Sequence, residues 1–249
     1  MTETRESAEQ IPSGAQRQPV ILILDSLLQH LPWESIPVLR GQPVCRMPSL
    51  HHLHSQLVLE QGQEQSALRD GVDPRSTYYI LNPENNLPAT QVHFQKMFEQ
   101  QAGWSGLTGV APTKEQFTAA LTDHQLLVYC GHGAGSKYLP GDDIQFLHCQ
   151  ATALLVGCSS GRLQVEGQLE PYGMMQNYFL AGCPCVVGNL WDVTDKDIDR
   201  LTEALLNSLL KPGEGKCLAT LLAKSRSVCR LPYLIGCAPV VYGLPVKFR

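Results

Sequence analysis

The sequence predicts an α/β fold, a three-layer sandwich with a mostly parallel central sheet and helices on both faces. Three observations carry that expectation. Apolar runs of strand length recur along the 249 residues. Several are apolar at nearly every position, as strands covered on both faces must be. Helix signals fall between the runs, and a chain that alternates in this way builds a sheet sandwiched by its crossover helices.

The strand-like runs lie at residues 19–25, 77–81, 126–130, 153–157 and 185–190. The histidine-bearing stretch SLHHLHSQL (49–57) reads as an amphipathic helix with no fourth ligand to make His51, His52 and His54 a metal site. Thr113-x-x-Gln116 is a capping box ahead of Phe117, Ala120 and Leu121. Residues 174–181 are largely apolar until Gly182, a natural helix stop. Thr194 then leads Asp195 and Asp197 into the stripe Ile198, Leu201, Leu205 and Leu209, with acids at the positive end of the helix. Residues 60–75 and 136–143 are polar and turn-rich and read as surface loops. No internal boundary is evident, so the expectation is one domain over residues 19–249 behind a disordered lead at 1–18.

Composition narrows the function. A net charge of −4 and an isoelectric point near 6.0 supply no basic footprint for nucleic acid or an anionic membrane. The first residues, MTETRESAEQIPSGAQRQP, are polar and contain no apolar core of a signal peptide. The longest apolar runs fall well below the ~18 residues of a membrane span, so a soluble protein is expected. Nine cysteines without a C-x-x-C pair suit reduced thiols in cytosol or nucleus better than a disulfide framework or a structural zinc site.

GCSSG, at 157–161, presents two candidate nucleophiles. A serine elbow needs a histidine later in the chain, and all eight histidines precede Ser159. A phosphate-cradling loop needs an arginine six residues after the cysteine, where Gln164 stands, with Arg162 two residues too early. The cysteine reading has a partner. His132, in GHG, and Cys158 each follow a predicted strand, and parallel neighbours about 5 Å apart would bring imidazole and thiol to one crevice. The 25 residues between them suffice for a return crossover. A thiol must be activated to attack at neutral pH, and a nearby imidazole can take its proton and later return it to a leaving amine. The backbone N–H groups of Gly133 and Cys158 could hold the resulting oxyanion. Cys130 reads as strand core, and Arg162 and Glu170 as surface residues.

Several stretches carry a family likeness: YCGHGAG (129–135), LLVGCSSG (154–161), LEPYG (169–173), AGCP (181–184) and GNLWDVTDKDIDR (188–200), with LPWESIPVLR (31–40), RMPSL (46–50) and APVVYGLPV (238–246). Together they resemble the C-terminal protease domain of the separase family, caspase-like cysteine peptidases. The resemblance implies a caspase-like fold and a dyad of Cys158 and His132, with no metal or organic cofactor. It implies cleavage after arginine in the kleisin subunit of cohesin, releasing sister chromatids at anaphase. It further implies inhibition by the pseudosubstrate securin and work in cytoplasm and nucleus, at mitotic chromosomes and spindle poles. Separases also carry a long helical region ahead of the protease. A catalytically silent caspase-like module, binding a partner through the same groove, is the rival reading.

An arginine-directed protease needs a carboxylate for the guanidinium. Asp192 and Asp195 are the candidates, since their loop should flank the crevice, although the helix dipole alone also favours acids in that first turn. Trp191 is a further candidate for substrate contact, with 188–191 offering a strand edge to an extended peptide.

Overall fold

The computed structural model describes residues 18–164, 171–211 and 215–249. Apart from its last residue, the expected N-terminal lead lies outside the described residues. One sheet contains β1 (Val20–Ile23), β2 (Val44–Met47), β3 (Thr77–Leu81), β4 (Trp104–Thr108), β5 (Leu126–Cys130), β6 (Thr152–Leu155), β7 (Cys185–Asn189) and β9 (Pro239–Gly243). Their spatial order is β1-β2-β9-β7-β6-β5-β3-β4. Strands β4, β3, β5, β6 and β7 are mutually parallel; β9 pairs antiparallel to β7 and starts a second parallel group with β2 and β1. A short antiparallel ribbon joins β8 (Lys216–Cys217) to β10 (Lys247–Phe248).

Helices cover both faces. They are α1 (Leu50–Gly62), α2 (Pro88–Glu99), α3 (Lys114–Thr122), the single turn α4 (Gly141–Ile144), α5 (Met174–Leu180), α6 (Asp195–Leu210) and α7 (Leu218–Ser225). Side chains alternate along a strand, so Tyr79 and Tyr129, one step out of register in the β3–β5 pair, point to opposite faces. Phe98 of α2 packs on Tyr79, with ring centroids 5.1 Å apart, and Phe117 of α3 packs on Tyr129 at 6.0 Å. A carboxylate on α6 bonds to α2, and Gln56 of α1 donates to the Phe179 carbonyl of α5. The layers are therefore α2 and α6 on one face, and α1, α3 and α5 on the other.

The expected strands and helices form close to where the sequence marks them. Thr113 and Gln116 close a complete capping box, and Gly182 follows α5 with a φ of +85°. Strands β2, β4 and β9, the β8–β10 ribbon and helices α2 and α7 are additions. β4 reads WSGLT, an edge strand without a continuous apolar run, and α2 begins with Pro88 at its first turn, the position where a missing N–H matters least.

Two expected loops need correction. Residues 60–62 belong to α1, and Glu60 is buried because it accepts from Ser66 Oγ at 2.5 Å and from the Leu68 N–H at 3.0 Å. Within 136–143, α4 begins at Gly141, where a β-carbon would lie 2.2 Å from the Asn177 amide of α5.

The sheet edge is locked by a buried ion pair. Arg46, in the middle of β2, is fully buried and grips Glu34 through Nε and Nη2, both at 2.6 Å. Its remaining donors reach the carbonyls of Gln29 and Leu31 at 2.6 and 2.7 Å. One guanidinium thus holds the chain between β1 and β2 against the sheet, and its fork geometry matches the carboxylate as a lysine could not. Removing one partner leaves a buried charge alone. Glu34→Ala should lower the unfolding free energy by about 3–5 kcal/mol, read as a drop in the urea midpoint with the slope of the transition unchanged.

Candidate active site

The chain passes from β3 outward to β4 through α2, then back to β5 on the other side of β3 through α3. Such a switch point opens a crevice at the carboxyl ends of β3 and β5. The β3–α2 loop, the GHG turn after β5 and the GCSSG loop after β6 meet there.

Glycines set how closely they meet. A β-carbon on Gly157 would lie 2.2 Å from the Gly133 carbonyl oxygen, 2.5 Å from that of Gly131 and 2.6 Å from the Gly133 nitrogen. Only a bare backbone fits, so the residue before Cys158 is pressed against the residues flanking His132. Gly133 has a φ of +59° with open space where a side chain would stand, so its backbone is approachable by a ligand. Among the described residues, neither the Gly133 nor the Cys158 N–H has an intramolecular acceptor.

His132 is exposed, and its Nε2 lies 3.1 Å from Asn86 Oδ1. An oxygen at that distance calls for a proton on Nε2, which leaves Nδ1 with the free lone pair of a base. Tyr129 donates its hydroxyl to the His132 carbonyl at 3.1 Å. Asn86 is presented by Asn82, whose side-chain oxygen accepts the N–H groups of Asn86 and Leu87 at 2.9 and 2.8 Å while its own backbone is left-handed. The stretch Asn82-Pro83-Glu84-Asn85-Asn86, which lies outside the motifs considered above, carries the signal for such a turn.

Cys158 is half-buried. Its sulfur accepts from the Val193 N–H at 3.4 Å and donates to the Val193 carbonyl at 3.3 Å. Ser159 has a φ of +52°, and its hydroxyl donates to Asp192 at 2.7 Å, which turns it away from any role as nucleophile. Cys130 is buried at the strand end, and burial pushes its thiol far above the ordinary range. Of the two thiols near His132, Cys158 is the one solvent can reach.

The loop around Cys158 runs beside residues 189–193. Ser159 and Gly161 donate backbone N–H groups to the carbonyls of Trp191 and Asn189 at 3.2 and 2.9 Å. On the other side, Gly188 and Asn189 pair with β9, and the Leu190 N–H reaches the Ala238 carbonyl. That corrects the expectation of a strand edge at 188–191, because these bonds already occupy both sides. Trp191 is half-buried and donates its indole N–H to the Leu234 carbonyl at 2.9 Å.

The cleft is walled by Leu87, Thr90, His132, Cys158, Asp195 and Asp199. Its free volume of about 30 Å³ admits a water, so a long side chain would have to part the walls. Asp195 is exposed at this cleft, whereas Asp192 is engaged by Ser159 outside it. Asp197 turns the other way. It accepts from the backbone of Arg230 and Leu231 and pairs with Arg200; against the upward push of burial, these bonds hold its carboxyl below the usual range.

Asp199, a carboxylate not among the sequence-predicted candidates, also lines the cleft. It is 6% exposed, accepts from Thr90 Oγ1 at 2.9 Å, and is pushed up to about 6 by burial. It stands one helical turn after Asp195, and that i, i+4 spacing was the available signal. Arg162 is exposed, and Glu170 lies outside the described residues. Among the described residues, no three His, Cys, Asp or Glu side chains gather as a metal ion would require, and no helix is long and apolar enough to cross a membrane. A larger hollow of about 610 Å³, beside Leu59, Phe146 and Leu180, lies at the amino ends of β6 and β7, away from His132.

With this geometry in place, likeness to known proteins is informative. The family model "Separin, protease domain" matches residues 1–198. Separin of Mus musculus is 47% identical over 246 residues, covering 98% of this chain and 12% of the relative. Separin of Saccharomyces cerevisiae is 36% identical over 245 residues, covering 91% of this chain and 14% of the relative. The chain thus spans a minor part of the relatives it matches. The S. cerevisiae separase–securin complex at 2.6 Å superposes with a TM-score of 0.86 at 34% identity, over 99% of this chain and 17% of that one. The complex of Porphyromonas gingivalis RgpB pro- and mature domains superposes at 0.60 and 9% identity, over 98% of this chain and 68% of that one, a likeness of fold alone.

Two outcomes follow from the packing and the charge. In Gly157→Ala the new methyl must push the loops apart, and stability should fall by about 2 kcal/mol or more, seen as a lower thermal midpoint. For Asp199 the folded state holds its proton up to about pH 6 and the unfolded chain only to about 4. The native state therefore binds more protons between those values, and stability declines as pH rises through that window. Asp199→Asn should remove the decline, gaining ~1–2 kcal/mol at pH 7.5 after discounting for partial solvent screening, with no gain below about pH 4. Chemical denaturation at both pH values checks it.

Proposed function

Since this chain belongs to the separin protease-domain family, we propose that it is a cysteine endopeptidase that cleaves after arginine, with Cys158 as nucleophile and His132 as base. The observation that carries the reading is the contact of Gly157 with Gly131 and Gly133, which holds the thiol-bearing and imidazole-bearing loops together at one cleft.

His132 Nδ1 takes the Cys158 proton as the sulfur attacks the scissile carbonyl carbon. The carbonyl π electrons move onto oxygen, which the N–H groups of Gly133 and Cys158 receive. As the tetrahedral centre collapses, the C–N bond breaks and the imidazolium gives its proton to the departing amine, leaving a thioester. Water then attacks, His132 accepts its proton, and the C–S bond breaks to release the carboxylate and restore the thiol. Asn86, bonded to Nε2, keeps the ring in the tautomer this sequence needs.

Asp199 at the cleft wall, with Asp195 nearer solvent, is the site proposed for the arginine guanidinium. A buried carboxylate near neutrality is ionised by an arriving cation, and the pair then shields both charges from an apolar wall. Asp192 serves through Ser159, holding the loop that carries the nucleophile, and Trp191 forms the rim beside it. By family membership we assign the kleisin subunit of cohesin as substrate, securin as inhibitor, release of sister chromatids as the outcome, and nucleus and cytoplasm as the places of action.

A peptidyl-arginine acyloxymethyl ketone should label the wild type at Cys158 and leave Cys158→Ala unmodified. Hydrolysis of an arginyl kleisin peptide should fall about 10³-fold or more in Cys158→Ser and His132→Ala with thermal unfolding preserved. Absence of wild-type labelling would favour the silent interaction module instead. Asp199→Asn should lose about 10²-fold or more of the preference for arginine over a neutral residue, read as the ratio of kcat/KM values.

A further inference from the structure

Asn189, the last residue of β7, is 1% exposed and sits under the nucleophile loop. Its amide nitrogen donates to the Val156 carbonyl at 2.9 Å and to the Gly157 carbonyl at 3.0 Å. Both partners are acceptors only, so the orientation of the amide is unambiguous. Its backbone N–H donates to Ser160 Oγ at 3.0 Å, Ser160 Oγ donates to the Leu155 carbonyl at 2.8 Å, and the Gly161 N–H returns to the Asn189 carbonyl at 2.9 Å. One residue thus holds the loop before and after Cys158.

Packing economy does not account for an amide here. Its side-chain oxygen is buried and unpartnered among the described residues, and the residue borders a small hollow otherwise lined by groups such as Leu154, Val187, Ile198 and Pro239. An unsatisfied buried acceptor costs about 1–3 kcal/mol, and an apolar side chain would avoid that cost. The two nitrogen bonds are what the amide adds. The Gly157 carbonyl also accepts the Ser160 N–H at 3.3 Å, so the oxygen end of the Gly157–Cys158 peptide is hydrogen-bonded twice. Bonds at the oxygen of a peptide polarise its N–H and make it a stronger donor. That N–H is Cys158's own.

We propose that Asn189 is a positioning residue that aims and strengthens the Cys158 N–H as oxyanion donor. The inference rests on the peptidase reading above and deepens it. Asn189 touches no reacting atom; it acts through the peptide unit, so its effect belongs to steps that build negative charge on the carbonyl oxygen.

The test compares Asn189→Leu and Asn189→Asp with wild type. Hydrolysis of an arginyl peptide should show kcat reduced about 10- to 100-fold, below the full loss of an oxyanion donor, with KM changed less than about threefold. Alkylation of Cys158 by iodoacetamide, a displacement with no oxyanion, should stay within about twofold of wild type. Affinity for a peptidyl-argininal, whose hemithioacetal carries the oxyanion, should fall in step with kcat. Unchanged kcat, or alkylation falling as far as kcat, overturns the proposal, the second because it reveals a displaced loop. A wild type without turnover defeats the peptidase reading itself. Should Asn189→Leu not fold, Asn189→Asp decides by pH, since its ionised carboxylate would face two carbonyls. Its kcat profile should gain an ionisation that wild type lacks, and an unaltered profile overturns the proposal.

Discussion

The site depends on one contact, the bare backbone of Gly157 lying against the carbonyls of Gly131 and Gly133. Strand pairing alone leaves the ends of β5 and β6 about 5 Å apart. The loops beyond those ends could diverge by more than a hydrogen bond can span. Three glycines in contact remove that freedom, because no side chain stands between the two chain segments. A second pair repeats the device: a β-carbon on Gly161 would lie 2.7 Å from the Gly188 carbonyl carbon. The Cys158 loop is therefore wedged between the His132 turn and β7, and its sulfur settles where Val193 can bond it.

Buried polar groups then convert proximity into a defined geometry. Arg46 and Glu34 fix the outer strands, and Tyr242 of β9, fully buried, donates its hydroxyl to the Gly161 carbonyl at 3.1 Å. Asn189 binds the loop from β7, and Asn82 shapes the turn that carries Asn86 to the imidazole. These groups tolerate burial because, apart from the Asn189 side-chain oxygen, their bonds are made, and each has few alternative partners, which is why they specify one arrangement where apolar packing would allow several. Asp199 is different. Burial outweighs the single hydrogen bond it accepts from Thr90, so its ionised form is disfavoured.

The closed cleft fits this account. About 30 Å³ beside Cys158 is too little for an arginine side chain, so α6 or the β3–α2 loop must shift for one to enter. The residues proposed to recognise substrate sit on α6, whereas the Cys158 thiol and the N–H groups proposed to receive the oxyanion sit on loops tied to the sheet. The α6 wall can thus move without displacing the loops that carry His132 and Cys158.

The sequence by itself determined the α/β alternation, the capping box that starts α3, the acid-led first turn of α6, and the two strand-end residues His132 and Cys158. All of these are local: apolar runs, capping residues and glycines act over a few neighbours. The order of residues also left Ser159 without the downstream histidine that a serine elbow needs. Only the tertiary structure decided that β5 and β6 are adjacent, that β9 and β2 extend the sheet in the opposite direction, and that Glu34 finds Arg46. It likewise decided that Asn86 meets His132 across 46 positions of chain, and that Asp199 faces the cleft while Asp192 faces Ser159. The reason is physical. A strand's pattern states which faces are buried and is silent on which neighbour covers them, and a buried charge finds its partner by folding, at sequence distances that no local pattern encodes.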